Sequence, residues 1–191
     1  MQQKTRCAWA GDDPDYIRYH DFEWGIPLHD DKRLFEMLVL EGFQAGLSWI
    51  TILKRRDNFR KAFAGFDWKK VAAFDEKKVN ELLLDKCIIR NRLKIISAIN
   101  NASKFMDVRK EFGTFDKYIW QFTSYSTIYP SKPPRVWNDL PTQTPESDAM
   151  SKDLKKRGFT FVGSVICYAY MQAIGMVNDH LEGCFCFCNC K

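Results

Sequence analysis

The chain has 191 residues, 46% of them hydrophobic, which is enough for one good core or two small subdomains. Its formal charge of +5 is modest, and it has no apolar run of roughly 18 residues, so a membrane-spanning helix is excluded. The first residues turn acidic instead of apolar, which argues against a secretory signal and reads as a protein of the cytoplasm, or of the nucleus where the cell has one.

The N-terminal segment CAWAGDDPDYIRYHDFEWG gathers rings around an Asp-Pro turn and predicts a short helix from about Asp15 to Asp21. Asp30 or Asp31 then supplies an N-cap for the stretch Leu34 to Arg56, where apolar residues recur at helical spacing. Inside that run sits Glu41, followed by Gly42, Gly46 and Trp49. A carboxylate taken out of water needs a partner or gives up its charge. Each glycine costs a helix roughly 1 kcal/mol, yet it lets backbone or ligand come close. Acid, glycines and a large ring point to a pocket for something flat. A solvated Glu on a helix edge, with Gly42 ending one helix and Ala45 starting the next, fits the same letters.

After Gly46 the helical pattern continues to about Phe63, with Gly65 as a stop. Asp75 caps a short amphipathic helix carrying Val79, Leu82 and Leu83 on one face. A longer helix runs from Arg90 to about Phe112, with Leu93, Ile95, Ile96, Ile99, Ala102, Phe105 and Met106 as its stripe. Thr114 starts a short aromatic helix through Tyr118, Trp120 and Phe122. Four prolines between Tyr125 and Pro141 mark a surface loop. Thr144 and Pro145 open a helix that ends at Gly158, and a last one runs from Gly163 to Ile174, stopped by Gly175. No useful length alternates with period two, so the fold class is all-α.

Three constellations carry chemistry. His180 and Cys184 are four apart, on one side of a helical turn, and Cys7 and His20 offer a second pair of the same types. A Cys₂His₂ set is closed and suits one structural zinc rather than a catalytic one. Cys186, Cys188 and Cys190 compete for such a metal, and a surface histidine beside a Cys-rich tail fits equally well. With no secretory signal, a disulfide framework for the seven cysteines is not expected.

The second is LKKRGFTFVGSVICYAY, which reads as a helix–hairpin–helix unit. Gly158 permits the left-handed turn, while Gly163 and Ser164 open a helix whose first N–H groups suit a phosphate, with Lys155, Lys156 and Arg157 adding charge. An ordinary pair of antiparallel helices has the same outline. The third is the ring set Trp9, Tyr16, Tyr19, Trp24 and Trp49, which is either core or a stacking surface for a flipped nucleobase with Glu41 on its edge. No Ser/His/Asp set, phosphate-cradling glycine loop or magnesium-binding acid cluster occurs, so those enzyme classes lose weight.

The segments RCAW, DPDYIRYHDFEWG, LFEMLVLEGFQAGLSWITILKRR, IIRNRLKI, SDAMSKDLKKRGFTFVG and GMVNDHLEGC together resemble the type I family of 3-methyladenine DNA glycosylases, along nearly the whole chain. The resemblance implies a helix–hairpin–helix glycosylase fold: one domain of two helical subdomains around a base pocket, with a zinc joining the chain ends. It implies that Cys7, His20, His180 and Cys184 are the zinc ligands and that Glu41 is the acid that hydrogen-bonds the methylated adenine. Trp49 and Tyr19 match rings that stack on the base, and Tyr16, Trp24 and Trp9 match further pocket aromatics. Gly46 and Leu47 match residues that fill the gap left by the extruded nucleotide. The tail FCFCNCK departs from the pattern by carrying more cysteines than it needs.

The expected reaction is hydrolysis of the N-glycosidic bond of 3-methyladenine in alkylated duplex DNA, with the free base as product. No lysine stands where a Schiff-base nucleophile would, so a monofunctional enzyme is expected, acting as a monomer away from membranes. Two rivals remain on the residues alone: a zinc-stapled DNA-binding module without catalysis, and an alkylbase glycosylase of wider specificity.

Overall fold

The computed structural model describes residues 4–189, of Cys188 and Asn189 the backbone only; Cys190, named above as a competing ligand, lies outside it. The described residues form helices α1 (Pro14–Phe22), α2 (Asp31–Gln44), α3 (Trp49–Leu53), α4 (Arg56–Ala62), α5 (Trp68–Ala72), α6 (Glu76–Leu84), α7 (Arg92–Phe112), α8 (Phe115–Trp120), α9 (Pro145–Lys156), α10 (Ser164–Ala173) and α11 (Phe185–Asn189). Among these residues β-pairing is confined to one isolated bridge, Ile128 to Val177, so the fold is all-α as expected.

Capping explains most of the helix starts. Side chains of Asp13, Asp30, Asp67, Asp75, Asn91, Thr114 and Thr144 each accept a backbone N–H from the first turn of the helix they open. Such caps contribute about 1 kcal/mol each. At α1 and α9 a proline occupies the first helical position, where a missing N–H costs nothing.

Every residue of α2 from Leu34 to Phe43 is buried, which makes it the central rod of the molecule. It packs against α7, α8 and α10, and α7 in turn carries α5 and α6. Phenylalanines fill the space between: Phe35 meets Phe105 edge-on at 5.1 Å, and Phe43 meets Phe59 at 4.8 Å. Each such pairing adds roughly 0.5–1.5 kcal/mol beyond the area it buries.

The predicted helix from Gly46 to Phe63 is two helices, α3 and α4, parted at Lys54 and Arg55. The break turns Arg56 inward, where its buried guanidinium meets Glu36 and Glu23 and reaches Met37 Sδ. A buried cation requires such partners, and a continuous helical stripe has no register for it. Helix α5 went unpredicted because five residues are too few to show a period. The longest helix starts at Arg92 rather than Arg90, since Asn91 caps it.

The ends of the chain meet. Phe185 N–H donates to Thr5 O at 3.0 Å, closing α11 onto the N-terminal segment. Residues 25–28 run beside the end of α10 through Gly25 N–H to Gln172 O (3.0 Å) and Leu28 N–H to Ile174 O (3.1 Å). Gly175 makes that approach possible. Its φ is +75°, and a Cβ there would fall 2.3 Å from the carbonyl carbon of Ile26.

Candidate active site

Glu41 lies on the buried face of α2, 3% exposed, which removes the solvated alternative. It forms part of the floor of a slot of about 340 Å³ whose walls are rings: Trp9, Tyr16, Tyr19, Trp24 and Trp49. That volume is in the range of small-molecule sites, roughly 300–1,000 Å³. Trp9 meets Tyr16 and Trp24 edge-on, both at 5.0 Å, while Tyr19 and Trp49 lie tilted at 5.3 Å. A larger hollow of about 580 Å³ lies under the proline-rich loop, between Pro130, Arg135, Asp139 and Glu182. It offers prolines and charges but no stacking face, so the smaller, ring-walled slot is the better seat for a flat ligand.

The slot has unspent hydrogen-bonding groups. Glu41 Oε2, Trp9 Nε1 and Trp49 Nε1 are buried with no hydrogen-bond partner. Buried polar atoms are nearly always paired, and orphans clustered in a cavity are what a ligand satisfies. Burial alone pushes the Glu41 carboxyl up to about 8. No Lys or Arg lines the slot, so nothing there holds the ionised form of Glu41 until a cation arrives.

Sequence reasoning missed Gln44, Ser48, Trp137, Ala169 and Gln172, which complete the walls. Gln44 was within reach, since it stands three residues after Glu41 on the same helical face. Trp137 comes from the proline-rich loop, half exposed at 51%, with its ring 6.4 Å from that of Trp9. A tryptophan in a loop that buries little was its one signal.

Gly46 and Leu47 form the turn between α2 and α3. Gly46 has φ +77°, and Leu47 is 40% exposed beside the slot residues Gln44 and Ser48. At the other predicted contact, α9 ends in a left-handed turn at Gly158, with Phe159 N–H donating to Leu154 O at 3.0 Å. Helix α7 braces the hairpin beyond that turn: Asn101 accepts from Thr160 N–H at 2.9 Å and donates to Thr160 O at 2.9 Å. Gly163 is the N-cap of α10, and no side chain caps that helix, so its first N–H groups, Ser164 onward, are left to an outside acceptor. Lys155 and Lys156 are exposed beside the turn. Arg157, beside them, is part-buried and already engaged with the protein. It pairs with Glu111 and Asp153 at the surface and stacks over Phe112 and Tyr118, which leaves less of its charge for a phosphate than Lys156 has.

Cys7, His20, His180 and Cys184 converge, all buried, with their ligand atoms within 4.8 Å of one another. The pairs Cys184 Sγ to His20 Nε2, Cys7 Sγ to His180 Nδ1 and Cys184 Sγ to His180 Nδ1 are 3.4, 3.6 and 3.7 Å apart. A tetrahedral ion with bonds of roughly 2.0–2.3 Å requires edges of about 3.3–3.8 Å. The tautomers also fit. His180 Nε2 faces Trp24 O at 3.2 Å and His20 Nδ1 faces Asp21 Oδ1 at 2.9 Å. Both partners only accept, so each ring carries its proton on the outer nitrogen and turns the unprotonated one toward the thiols. Arg6 holds Asp21 in place with two 2.8 Å bonds. Hydrogen bonds from its neighbours, Cys186 and then Cys7, pull the Cys184 thiol down, while its bond to Cys184 and burial push the Cys7 thiol up. Among the further tail cysteines, Cys186 is buried and forms a second group of ligand atoms with His20 and Asp21.

An all-helical fold around a ring-lined slot with a buried acid is the arrangement of an enzyme that hydrolyses N-glycosyl bonds in DNA. The sequence model of the methyladenine glycosylases matches residues 9–187, and the chain belongs to that family. It is 50% identical to DNA-3-methyladenine glycosylase 1 of Escherichia coli K12 over 182 residues, 95% of this chain and 96% of the relative. Its fold matches a crystal structure of 3-methyladenine DNA glycosylase I with a TM-score of 0.92 at 48% identity, covering 95% of this chain and 99% of the other. A second solved relative, a variant enzyme in complex with 3-methyladenine, matches at 0.90 and 33% identity over 94% and 96%.

Proposed function

We propose that this protein excises 3-methyladenine from alkylated duplex DNA by hydrolysing its N-glycosidic bond and leaves the abasic strand uncut. The observation that carries this reading is Glu41 Oε2, buried and unpartnered in a slot walled by rings. A solved relative described as a 3-methyladenine complex supports the choice of base.

Methylation at N3 makes the nucleotide cationic and weakens its bond to the sugar, so the base departs as a neutral molecule. The enzyme's tasks are then extrusion, recognition and electrostatic support of an oxocarbenium-like transition state. Glu41 is largely neutral in the empty slot at pH 7, because burial holds its carboxyl near 8. An incoming cation stabilises the carboxylate, which accepts a hydrogen bond from the exocyclic amine. The positive base also lies against Trp49 and Tyr19, a contact worth roughly 0.5–2 kcal/mol. Leu47, on its exposed turn, fills the space the nucleotide vacates, and the α9–α10 hairpin holds the backbone as a helix–hairpin–helix through the open N-terminus of α10 and Lys156. One structural zinc on Cys7, His20, His180 and Cys184 ties the chain ends together and supplies no chemistry to the bond broken. No lysine among the slot residues offers an amine for a lyase step.

The test is incubation with methylated duplex, with chromatography of the released base and electrophoresis of the strand. Free 3-methyladenine with an intact abasic strand is expected. Binding without base release would leave only a DNA-binding module, and a β-elimination product would contradict the monofunctional step.

A further inference from the structure

Gln172, half-buried, and Asp179, buried, form a pair that the proposed mechanism does not use. Gln172 lines the slot from the end of α10, and Asp179 lies beyond Gly175 in the segment leading to His180. Asp179 Oδ2 accepts from the Tyr168 hydroxyl at 2.6 Å and from Gln172 Nε2 at 2.7 Å. A carboxylate has no proton to give, so the nitrogen of the Gln172 amide, not its oxygen, must face Asp179. Chemistry thus selects one of two amide orientations that have nearly the same shape. The oxygen Oε1 is the half left over, and it makes no hydrogen bond among the described residues. The backbone of Gln172 is committed elsewhere, its carbonyl accepting from Gly25 N–H at 3.0 Å.

We infer that Asp179 is a positioning residue: it locks the Gln172 amide so that Oε1 becomes a fixed acceptor on the slot wall, in addition to Glu41, and this acceptor favours an electron-poor cationic purine over a neutral one. The inference rests on the proposed reading of the slot and names a determinant of its selectivity. An N-alkylated adenine nucleotide spreads its charge over ring C–H groups and the methyl group, which an amide oxygen attracts through weak C–H···O contacts. The reversed amide would turn its N–H groups, with their partial positive charge, toward the same cation. With no Lys or Arg on the slot walls, the orientation of this one amide changes the sign of the local dipole that the base meets.

The test turns the lock around. Asp179→Asn is nearly isosteric, but its amide nitrogen can donate to Gln172 Oε1, so the Gln172 amide rotates. Single-turnover release of 3-methyladenine from methylated duplex should slow about tenfold, the scale of one charge-assisted hydrogen bond. Binding of the free base, which is neutral, should change by no more than about twofold on the same scale. The double variant Gln172→Glu with Asp179→Asn exchanges acceptor and amide and should recover release to within about threefold of the parent. Side-chain amide NMR supplies a readout that needs no substrate: one Gln172 Nε2 proton shifted downfield in the parent and returned in Asp179→Asn. A parent amide with no such shift overturns the lock. Equal losses of release and base binding, or a double variant no better than Asp179→Asn, make Asp179 merely structural and overturn the selectivity. Failure of the parent to release 3-methyladenine from methylated duplex overturns the proposed substrate, while the NMR result still decides the lock.

Discussion

The imidazole of His180 stands edge-on against the indole of Trp24, ring centres 4.7 Å apart, and its Nε2 donates to the Trp24 carbonyl at 3.2 Å. Trp24 is a wall of the slot, and His180 belongs to the Cys₂His₂ cluster. His20 makes a second such link, its ring 5.2 Å from Trp9. The cluster therefore supports two of the slot's rings directly.

Metal content should be about one zinc per chain by elemental analysis of protein purified without chelator. Cys7→Ser should lose the metal, lower Tm and shift tryptophan fluorescence, because Trp24 and Trp9 rest on the histidines. Full metal retention in this variant would remove Cys7 from the ligand set.

Glu41→Gln should lower excision by a factor of about 10² or more, taking recognition of the cation as worth about 3 kcal/mol, while duplex affinity persists. The same variant should be more stable than the parent at alkaline pH. The folded protein keeps the Glu41 proton up to about 8, whereas the unfolded chain releases it near 4.5. Between those values the native state binds more protons, so parental stability falls as pH rises, by a few kcal/mol at most. Thermal melts at pH 5 and pH 8.5 check this, the gap in Tm between the two proteins widening at the higher pH.

The rate should carry the same ionisation. In kcat/KM the free enzyme's carboxyl is reported, so the parent should speed up with pH toward a bend near 8. Glu41→Gln should show no such bend. A parental profile flat from pH 6 to 9 would detach Glu41 from recognition.

Lys156 and Arg157 are neighbours with different expected phenotypes. Lys156→Ala should weaken duplex binding and make the dependence of log K on log salt shallower by about one unit. Arg157→Ala should change that slope less and destabilise the fold by about 1 kcal/mol, through loss of the Glu111 and Asp153 pairs and the stacking on Tyr118. Salt titrations and denaturant melts of the two variants separate the roles.

The letters carried a good deal of this. Several helix starts were legible because Asp and Thr caps act within three residues, and Glu41 stood out because an acid inside an apolar run must be explained. The burial of Arg56 leaves no local sign in the sequence, since its partners Glu23 and Glu36 are 33 and 20 residues away. Trp137 and Gln172 were not singled out for a related reason: each reaches the slot from an element whose neighbours in sequence say nothing about the slot.

Local physics (capping, periodicity, the cost of a stranded carboxylate) is written in short spans, so the chain alone commits to an all-helical protein and marks Glu41 as the acid to explain, while its removal from water is decided by the fold. The convergence of Cys7 with Cys184, the carboxylate that engages Arg157 and the amide that Asp179 turns depend on groups brought together from separated segments. Hydrogen bonds and ion pairs act over a few ångströms with fixed directions, and spacing along a sequence does not encode such directions. Packing of α2 against α7, α8 and α10 supplies them, and with them the chemistry of the slot.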